Sequence, residues 1–202
     1  MLFRSRFLLS HSAPFTVEMD TVEGKKGGPV LLSLEWKENS LIRFHKREYN
    51  DARSVKEIFD DYEKRLGLDI FKKLFPVLLT DRGSEFTDPS ALEFSPFTGE
   101  RRSYVFYCDP QRADQKGAIE NCHSLARRMI PKSEDLGRWT QEVIDEVGDH
   151  LNSYPRKKLM DKSPYDSFSF FLGDDIPNLL NWEKIPPKDI HLNPHYFRNK
   201  LK

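Results

Sequence analysis

The sequence predicts an α/β fold in which a mixed five-stranded sheet is flanked by helices. Alternation of apolar and polar residues near the amino terminus is typical of strands, and later segments change to helical spacing. The order of the segments is three strands, a helix, a strand, a short helix, a strand and further helices. With 202 residues, 38% of them hydrophobic, the chain can bury a substantial core, so we expect one main globular domain.

The first three segments predict an antiparallel meander. Residues 15–22 alternate, with Glu18 and Asp20 on the face opposite the apolar one. Residues 30–36 and 41–45 are rich in β-forming residues and are separated by a short polar linker that is typical of a hairpin.

Helical spacing begins after Asp51, which we expect to be an N-cap, and stops before Gly67. The remaining predicted elements are a buried strand at 76–80, a helical turn at 89–94, a strand at 104–108, a helix from Gly117 to Pro131, a helix at 140–154 and a last short helix opened by Pro164. Four prolines after residue 172 predict an extended, loosely packed tail.

Composition excludes several classes of protein. The 32 basic and 32 acidic residues cancel, so any affinity for nucleic acid must come from local patches. Cys108 and Cys122 form no Cys-x-x-Cys pair, which argues against a zinc site or a disulfide-stapled secreted fold, and we expect both to be buried small residues. No apolar stretch approaches the roughly 20 residues of a membrane span, so a cytoplasmic protein is expected.

Three acids occupy positions suited to chemistry. Asp20 lies inside the first strand, Asp81 at the carboxyl end of the fourth strand and Glu120 in the first turn of a helix. Each has an ordinary alternative: a solvated edge strand for Asp20, an Asx-turn for Asp81 and a solvated helix face for Glu120. Taken singly, these residues do not decide between the alternatives.

The stretches that contain these acids resemble the integrase core of DDE transposases, in particular that of the insertion-sequence-30 family. Later stretches resemble the closing segment of that family, and the resemblance covers roughly residues 15–171. The first set of stretches is 17–24, 79–86, 106–110 and 115–120, and the later set is 130–132, 151–157 and 163–165. The motifs are specific in combination, because their order, their contexts and the 39-position step from Asp81 to Glu120 all agree.

The resemblance implies a ribonuclease H-like fold and a catalytic triad of Asp20, Asp81 and Glu120. The three carboxylates would hold two Mg²⁺ or Mn²⁺ ions, because hard cations prefer oxygen ligands and two such ions can assist phosphodiester transfer. The implied reaction is metal-dependent DNA cleavage followed by strand transfer. The implied partners are transposon ends, target DNA and further copies of the chain, at the bacterial nucleoid.

Basic residues near Glu120 are candidates for DNA contact. They are Lys116, His123, Arg127, Arg128 and Lys132, and a second basic run lies at 156–158. A solubilising surface is the alternative for each cation, and an exposed, solvated histidine is the alternative for His123. Glu85, four positions after Asp81, is a candidate for positioning the metal-binding acids without binding the metal itself.

Two departures from the family pattern leave alternatives open. Such transposases usually carry an amino-terminal helix-turn-helix region, whereas here we expect residues 1–14 to be a linker remnant, 15–172 the catalytic core and 173–202 the tail. Arg82 stands where the family commonly has Asn. The chain could therefore be a truncated or inactive remnant that binds DNA or a full-length transposase. A host nuclease of the same fold is a third interpretation, which the motifs up to Tyr165 disfavour.

Overall fold

A computed structural model describes residues 15–109 and 117–201. Within them lies a five-stranded sheet of order β3-β2-β1-β4-β5. Its strands are β1 (Val17–Glu23), β2 (Val30–Trp36), β3 (Leu41–Arg47), β4 (Val77–Thr80) and β5 (Tyr104–Tyr107). The first three strands pair antiparallel, whereas β4 runs parallel to β1 and β5 runs parallel to β4. The expected mixed sheet is confirmed, and β1 lies at its centre and not at an edge.

Helices cover both faces of the sheet. The described helices are α1 (Ala52–Leu66), α2 (Leu68–Leu74), α3 (Pro89–Glu93), α4 (Gly117–Ala126), α5 (Gln141–Ser153), α6 (Pro164–Leu172), α7 (Asp175–Leu179) and α8 (Pro194–Arg198). Helix α1 begins where the Asp51 side chain accepts a hydrogen bond from Ser54 N, and it ends at Gly67, whose φ of 75° favours glycine. Both ends agree with the sequence prediction.

The alternation along β1 divides the core into two layers. Val17 and Met19 pack with α1, α2 and α6 on one face of the sheet. Val22 lies on the other face, in the layer formed with α4 and α5. Because side chains alternate along a strand, Glu18 and Asp20 share the face of Val22 and therefore lie under α4.

Helix α5 covers the edge strand β3. The Asn152 side chain accepts a hydrogen bond from Ile42 N at 2.9 Å and donates one to Ile42 O at 2.8 Å, so it occupies both main-chain groups of that residue. An ion pair of 2.5 Å between Arg43 and Asp149 adds a second link. These contacts pair an edge that would otherwise expose its backbone groups.

The helices differ from the prediction in two places. Helix α2 was not expected, and it begins directly after Gly67 redirects the chain. Helix α4 ends at Ala126 and not near Pro131, because Arg128 N and Met129 N bond to carbonyls three residues earlier and tighten the chain into a turn.

The carboxy-terminal segment packs on the core and is not a loose appendage. Trp182 contacts the buried Trp36 with a ring separation of 5.5 Å, and it is only 7% exposed. Phe197 is fully buried in the layer of α4 and α5. The prolines therefore shape a tail that is poor in long helices but still contributes large apolar side chains to the core.

Candidate active site

The register between β1 and β4, when it is extended, aligns two of the predicted acids. Val17 pairs with Leu78 and Glu18 pairs with Leu79. Continued by two residues, this register places Asp20 beside Asp81, the first residue after β4. Neighbouring strands lie about 4.8 Å apart, and paired residues of parallel strands point to the same face. Both aspartates are partly exposed. Asp81 directly follows the carboxyl end of β4, where α/β folds commonly bind ligands, and Asp20 lies in the middle of β1.

His123 of α4 lies between Ser33 and Asp20. Its Nε2 atom is 2.7 Å from Ser33 Oγ, and its Nδ1 atom is 3.7 Å from Asp20 Oδ2. The Ser33 hydroxyl donates its hydrogen to the carbonyl oxygen of Asp20 at 2.9 Å, so Nε2 is the donor to Ser33. His123 is half-buried and lies against Asp20. The sequence alone had left open the alternative that this histidine is exposed and solvated.

The turn after β4 holds Asp81 and Glu85 on either side of a glycine. Asp81 Oδ1 accepts a hydrogen bond from Gly83 N at 2.9 Å, which is the geometry of an Asx-turn. A Cβ atom at Gly83 would lie 2.5 Å from Glu85 Oε2 and 3.2 Å from Asp81 Oδ1. The Glu85 carboxylate also accepts from the Thr21 hydroxyl, to which Arg47 donates at 2.9 Å. Glycine at position 83 thus gives both carboxylates room.

The residue before Glu120 is hydrogen-bonded to the strand that carries Asp20. Ile119 N donates to Glu18 Oε2 at 3.1 Å, and Glu18 is fully buried. Lys37 Nζ lies 3.2 Å from the other oxygen of Glu18. This bond fixes the first turn of α4 over β1, and Glu120 follows on the exposed side of that turn.

The structure does not gather the three acids into a closed metal site. Among residues 15–109 and 117–201, no three histidine, cysteine, aspartate or glutamate side chains lie close enough together to bind a metal ion. The donor chemistry of Asp20, Asp81 and Glu120 nevertheless suits a hard cation, since all three are carboxylates that solvent can reach.

The predicted basic residues have different surroundings. Arg127 donates to Glu23 O at 3.0 Å, and burial lowers its pKa. Arg128 and Lys132 are exposed on the same side of the molecule as α4. Lys116 lies outside the described residues, so its surroundings are not assigned.

Two buried acids next to the site were given no role in the sequence analysis. Glu18 and Glu35 pair across β1 and β2 on the face that α4 covers. Burial, reinforced by the neighbouring Glu18, raises the pKa of Glu35 to about 7. The Cys122 thiol donates to Glu35 Oε1 at 3.2 Å, and burial raises the pKa of that thiol. A glutamate between Leu34 and Trp36, in a strand whose other residues are apolar except Ser33, was the available signal.

Sequence comparisons identify relatives among bacterial transposases. The transposase InsI for insertion sequence element IS30C of Escherichia coli (strain K12) is 34% identical over 147 residues, which are 73% of this chain and 36% of the relative. The transposase for insertion sequence element IS1086 of Cupriavidus metallidurans is 40% identical over 102 residues, which are 50% of this chain and 29% of the relative. This chain is a homologue of the IS30-family transposases. It spans about a third of the length of these relatives, and no protein-family model matches it.

Solved structures show the same fold for this IS30-family homologue. The catalytic core domain of BIV integrase superposes with a TM-score of 0.54 at 15% identity, covering 77% of this chain and 94% of that one. The simian T-cell lymphotropic virus intasome in complex with a PP2A regulatory subunit gives a TM-score of 0.57 at 9% identity, with 75% and 52% covered. The expected ribonuclease H-like fold is confirmed. No helix in the described ranges is long and apolar enough to cross a membrane.

Proposed function

We propose that this chain carries the catalytic centre of a DNA transposase, which cleaves DNA strands and joins them to a target in a metal-dependent reaction. Asp20, Asp81 and Glu120 are the proposed ligands of Mg²⁺ or Mn²⁺. The observation that supports the proposal most strongly is the β1–β4 register, because continuing it by two residues aligns Asp20 with Asp81 on the sheet face over which α4 begins.

Electrostatics favours a cation between these side chains. Two carboxylates about 4 Å apart repel by roughly 4 kcal/mol at an effective dielectric constant near 20, so a divalent ion stabilises their approach. Glu120 is exposed, so its side chain can rotate toward the aspartates without disturbing the core. When bound, the metal would activate the nucleophile and neutralise charge at phosphorus.

Residues of the chain itself keep the proposed ligands in place. Ser33 hydrogen-bonds to the backbone carbonyl of Asp20. His123 contacts both Ser33 and the carboxylate of Asp20. Glu18 holds the first turn of α4, from which Glu120 extends. The proposed substrates are transposon ends and target DNA, with water and a DNA 3′-hydroxyl as alternative nucleophiles. We expect the reaction to need more than one copy of the chain, acting at the nucleoid in the bacterial cytoplasm.

The experiment is a nicking and strand-transfer assay on purified chain with Mg²⁺ or Mn²⁺. Asp81→Asn and Glu120→Gln should each lower activity by about a hundredfold or more, since each removes a charged metal ligand. Asp69→Asn is the matched control, because Asp69 is exposed on α2 at the opposite face of the sheet. It should behave like the wild type.

A calorimetric titration with Mn²⁺ tests metal binding independently of activity. The wild type and Asp69→Asn should bind, and Asp81→Asn should bind at least tenfold more weakly. If the wild type and Asp81→Asn are equally inactive while both are folded, the catalytic proposal is rejected. In that case a DNA-binding role without catalysis becomes the better account of the chain.

A further inference from the structure

A basic cleft of about 330 Å³ lies beside α4, next to the proposed active site. We use the name basic cleft for the space lined by Ser40, Asn121, Cys122, Leu125 and residues 154–158. Three of the lining side chains are cations, namely Arg156, Lys157 and Lys158, and no lining residue is acidic. The volume falls within the range of small-molecule binding sites.

Two buried polar atoms of the basic cleft have no hydrogen-bond partner among the described residues. They are Ser40 Oγ and Arg156 Nε, and these residues are 1% and 9% exposed. An unpaired buried donor costs about 1–3 kcal/mol, and more when it is charged. The guanidinium is nevertheless held in place, because its Nη2 atom donates to Leu151 O at 3.0 Å. The cleft therefore presents a fixed donor that lacks an acceptor.

The two lysines of the basic cleft stand at its rim. Lys157 and Lys158 are exposed and belong to a tight 3₁₀ turn. The turn is closed by hydrogen bonds from Leu159 N to Arg156 O at 2.9 Å and from Arg156 N to Lys162 O at 3.0 Å. The rim cations thus sit on a hydrogen-bonded turn that directly follows the buried Arg156 in the chain.

A second cavity, larger than the basic cleft, has charges of both signs in its lining. It holds about 500 Å³ between α1 and α5, and its lining includes four lysine or arginine residues and four aspartate or glutamate residues. Mixed charges of equal number do not favour an anion. The charged residues among the described lining of the basic cleft are all cations, and Glu35, which accepts from the Cys122 thiol, is not in that lining.

The basic cleft also lies close to the acids. Asn121 lines the cleft and follows Glu120 directly, so the two side chains are separated by about 100° around the axis of α4. The cleft and Glu120 therefore lie on adjoining sides of the same turn of α4.

We infer that the basic cleft binds a backbone phosphate of the DNA strand that enters the proposed active site. The phosphodiester oxygens would accept hydrogen bonds from Arg156 Nε and Ser40 Oγ, with Lys157 and Lys158 supplying further positive charge. This inference rests on the proposed function for the identity of the ligand as DNA, but it does not depend on catalysis.

Fluorescence anisotropy with a short labelled DNA duplex over a range of salt concentrations tests the inference. The Lys157→Gln/Lys158→Gln variant should bind about tenfold more weakly near 100 mM salt, and its slope of log affinity against log salt should fall by one to two. The matched control is Lys64→Gln/Lys73→Gln, which removes two exposed lysines from α1 and α2 on the opposite face. Equal losses in the two variants would overturn the inference.

The active-site variant Asp81→Asn separates this inference from the proposed function. It should bind the duplex with the salt slope of the wild type even though it no longer cleaves. If the wild type also fails to cleave but the rim variant still binds DNA more weakly than the control, the phosphate site stands and the catalytic proposal fails.

Arginine side-chain NMR examines the buried donor directly. The Nε–Hε signal of Arg156, assigned by its loss in Arg156→Lys, should shift when the thymidine dinucleotide dTpdT or the duplex is added. A shift with inorganic phosphate alone would show an adventitious anion site and would overturn the inference. The absence of a shift with both dTpdT and the duplex would also overturn it.

Discussion

Glu18 Oε2 accepts a hydrogen bond of 3.1 Å from Ile119 N, and this bond joins residues 101 positions apart in the chain. The acceptor lies in the strand that carries Asp20, and the donor lies in the helix turn that carries Glu120. Glu18, a buried carboxylate that is not a proposed metal ligand, therefore links the segments that carry two proposed metal ligands, Asp20 and Glu120.

Replacing Glu18 should separate its role as an acceptor from its charge. Glu18→Ala should lower the free energy of unfolding by about 1–3 kcal/mol, because Ile119 N is left buried without a partner. Glu18→Gln keeps an acceptor oxygen and should lose less. Urea unfolding measures both values, and an alanine variant as stable as the wild type would show that the bond contributes nothing.

His123 should act by positioning Asp20 and not by binding DNA. His123→Ala removes the contacts with Ser33 and Asp20, so we expect about a tenfold loss of cleavage, as is typical for partners of metal ligands. Its salt slope for duplex binding should match the wild type. The exposed Arg128 offers the comparison, since Arg128→Gln should lower the slope by about one. A similar drop for His123→Ala would instead assign it to phosphate contact.

Gly83→Ala should reduce activity more than stability. The added Cβ would displace the Glu85 carboxylate, which is the end of a flexible side chain, and would crowd Asp81 Oδ1. We expect the unfolding free energy to change by about 1 kcal/mol or less while cleavage and Mn²⁺ affinity each fall at least tenfold. Gly28→Ala, in the turn between β1 and β2, is the control and should leave both the cleavage activity and the Mn²⁺ affinity unchanged. Full activity in Gly83→Ala would exclude a requirement for glycine there.

Stability should fall as pH rises from about 4.5 to 7 because of Glu35. Its pKa is raised from 4.5 in the unfolded chain to about 7 in the fold, so the folded state holds the proton more tightly over this interval. The stabilisation is complete below pH 4.5 and is lost as pH approaches 7. It amounts to at most about 3 kcal/mol.

Glu35→Gln is the comparison for this pH dependence. The variant should lack the part of the stability loss that Glu35 causes. Burial also raises the pKa of Asp149 to about 6, and the stability loss from Asp149 should be the same in both proteins. Chemical unfolding at several pH values measures the difference. Parallel curves for the two proteins would contradict the assignment to Glu35.

The tail should contribute to the stability of the core. Trp182→Ala removes a ring that packs on Trp36 and Phe168, so we expect a loss of about 3–5 kcal/mol. Leu179→Ala, at a site that is 49% exposed, should change stability by less than about 0.5 kcal/mol. Thermal and urea unfolding of both variants measure the contrast. Similar small losses would show that the tail adds little.

Local patterns predicted most of the elements but not the side-chain contacts of the site. Alternation at residues 15–22 and the Asp51 cap gave a strand and a helix that the structure confirms. The predicted closeness of Asp20 and Asp81 depends on β4 joining β1, which periodicity does not encode, so only the family resemblance pointed to it. The pairing of Glu18 with Ile119 and of His123 with Ser33 depends on how α4 lies on the sheet.

The central place of β1 in the sheet has a consequence for folding. Its antiparallel partner β2 follows after a short turn, whereas 53 residues separate Glu23 from the start of its parallel partner β4. Contacts between distant segments form late, because a long loop must close first. A nascent chain can thus complete the meander while it still lacks the acid pair. On the proposed function, competence for DNA strand cleavage is acquired only with the final assembly of the sheet.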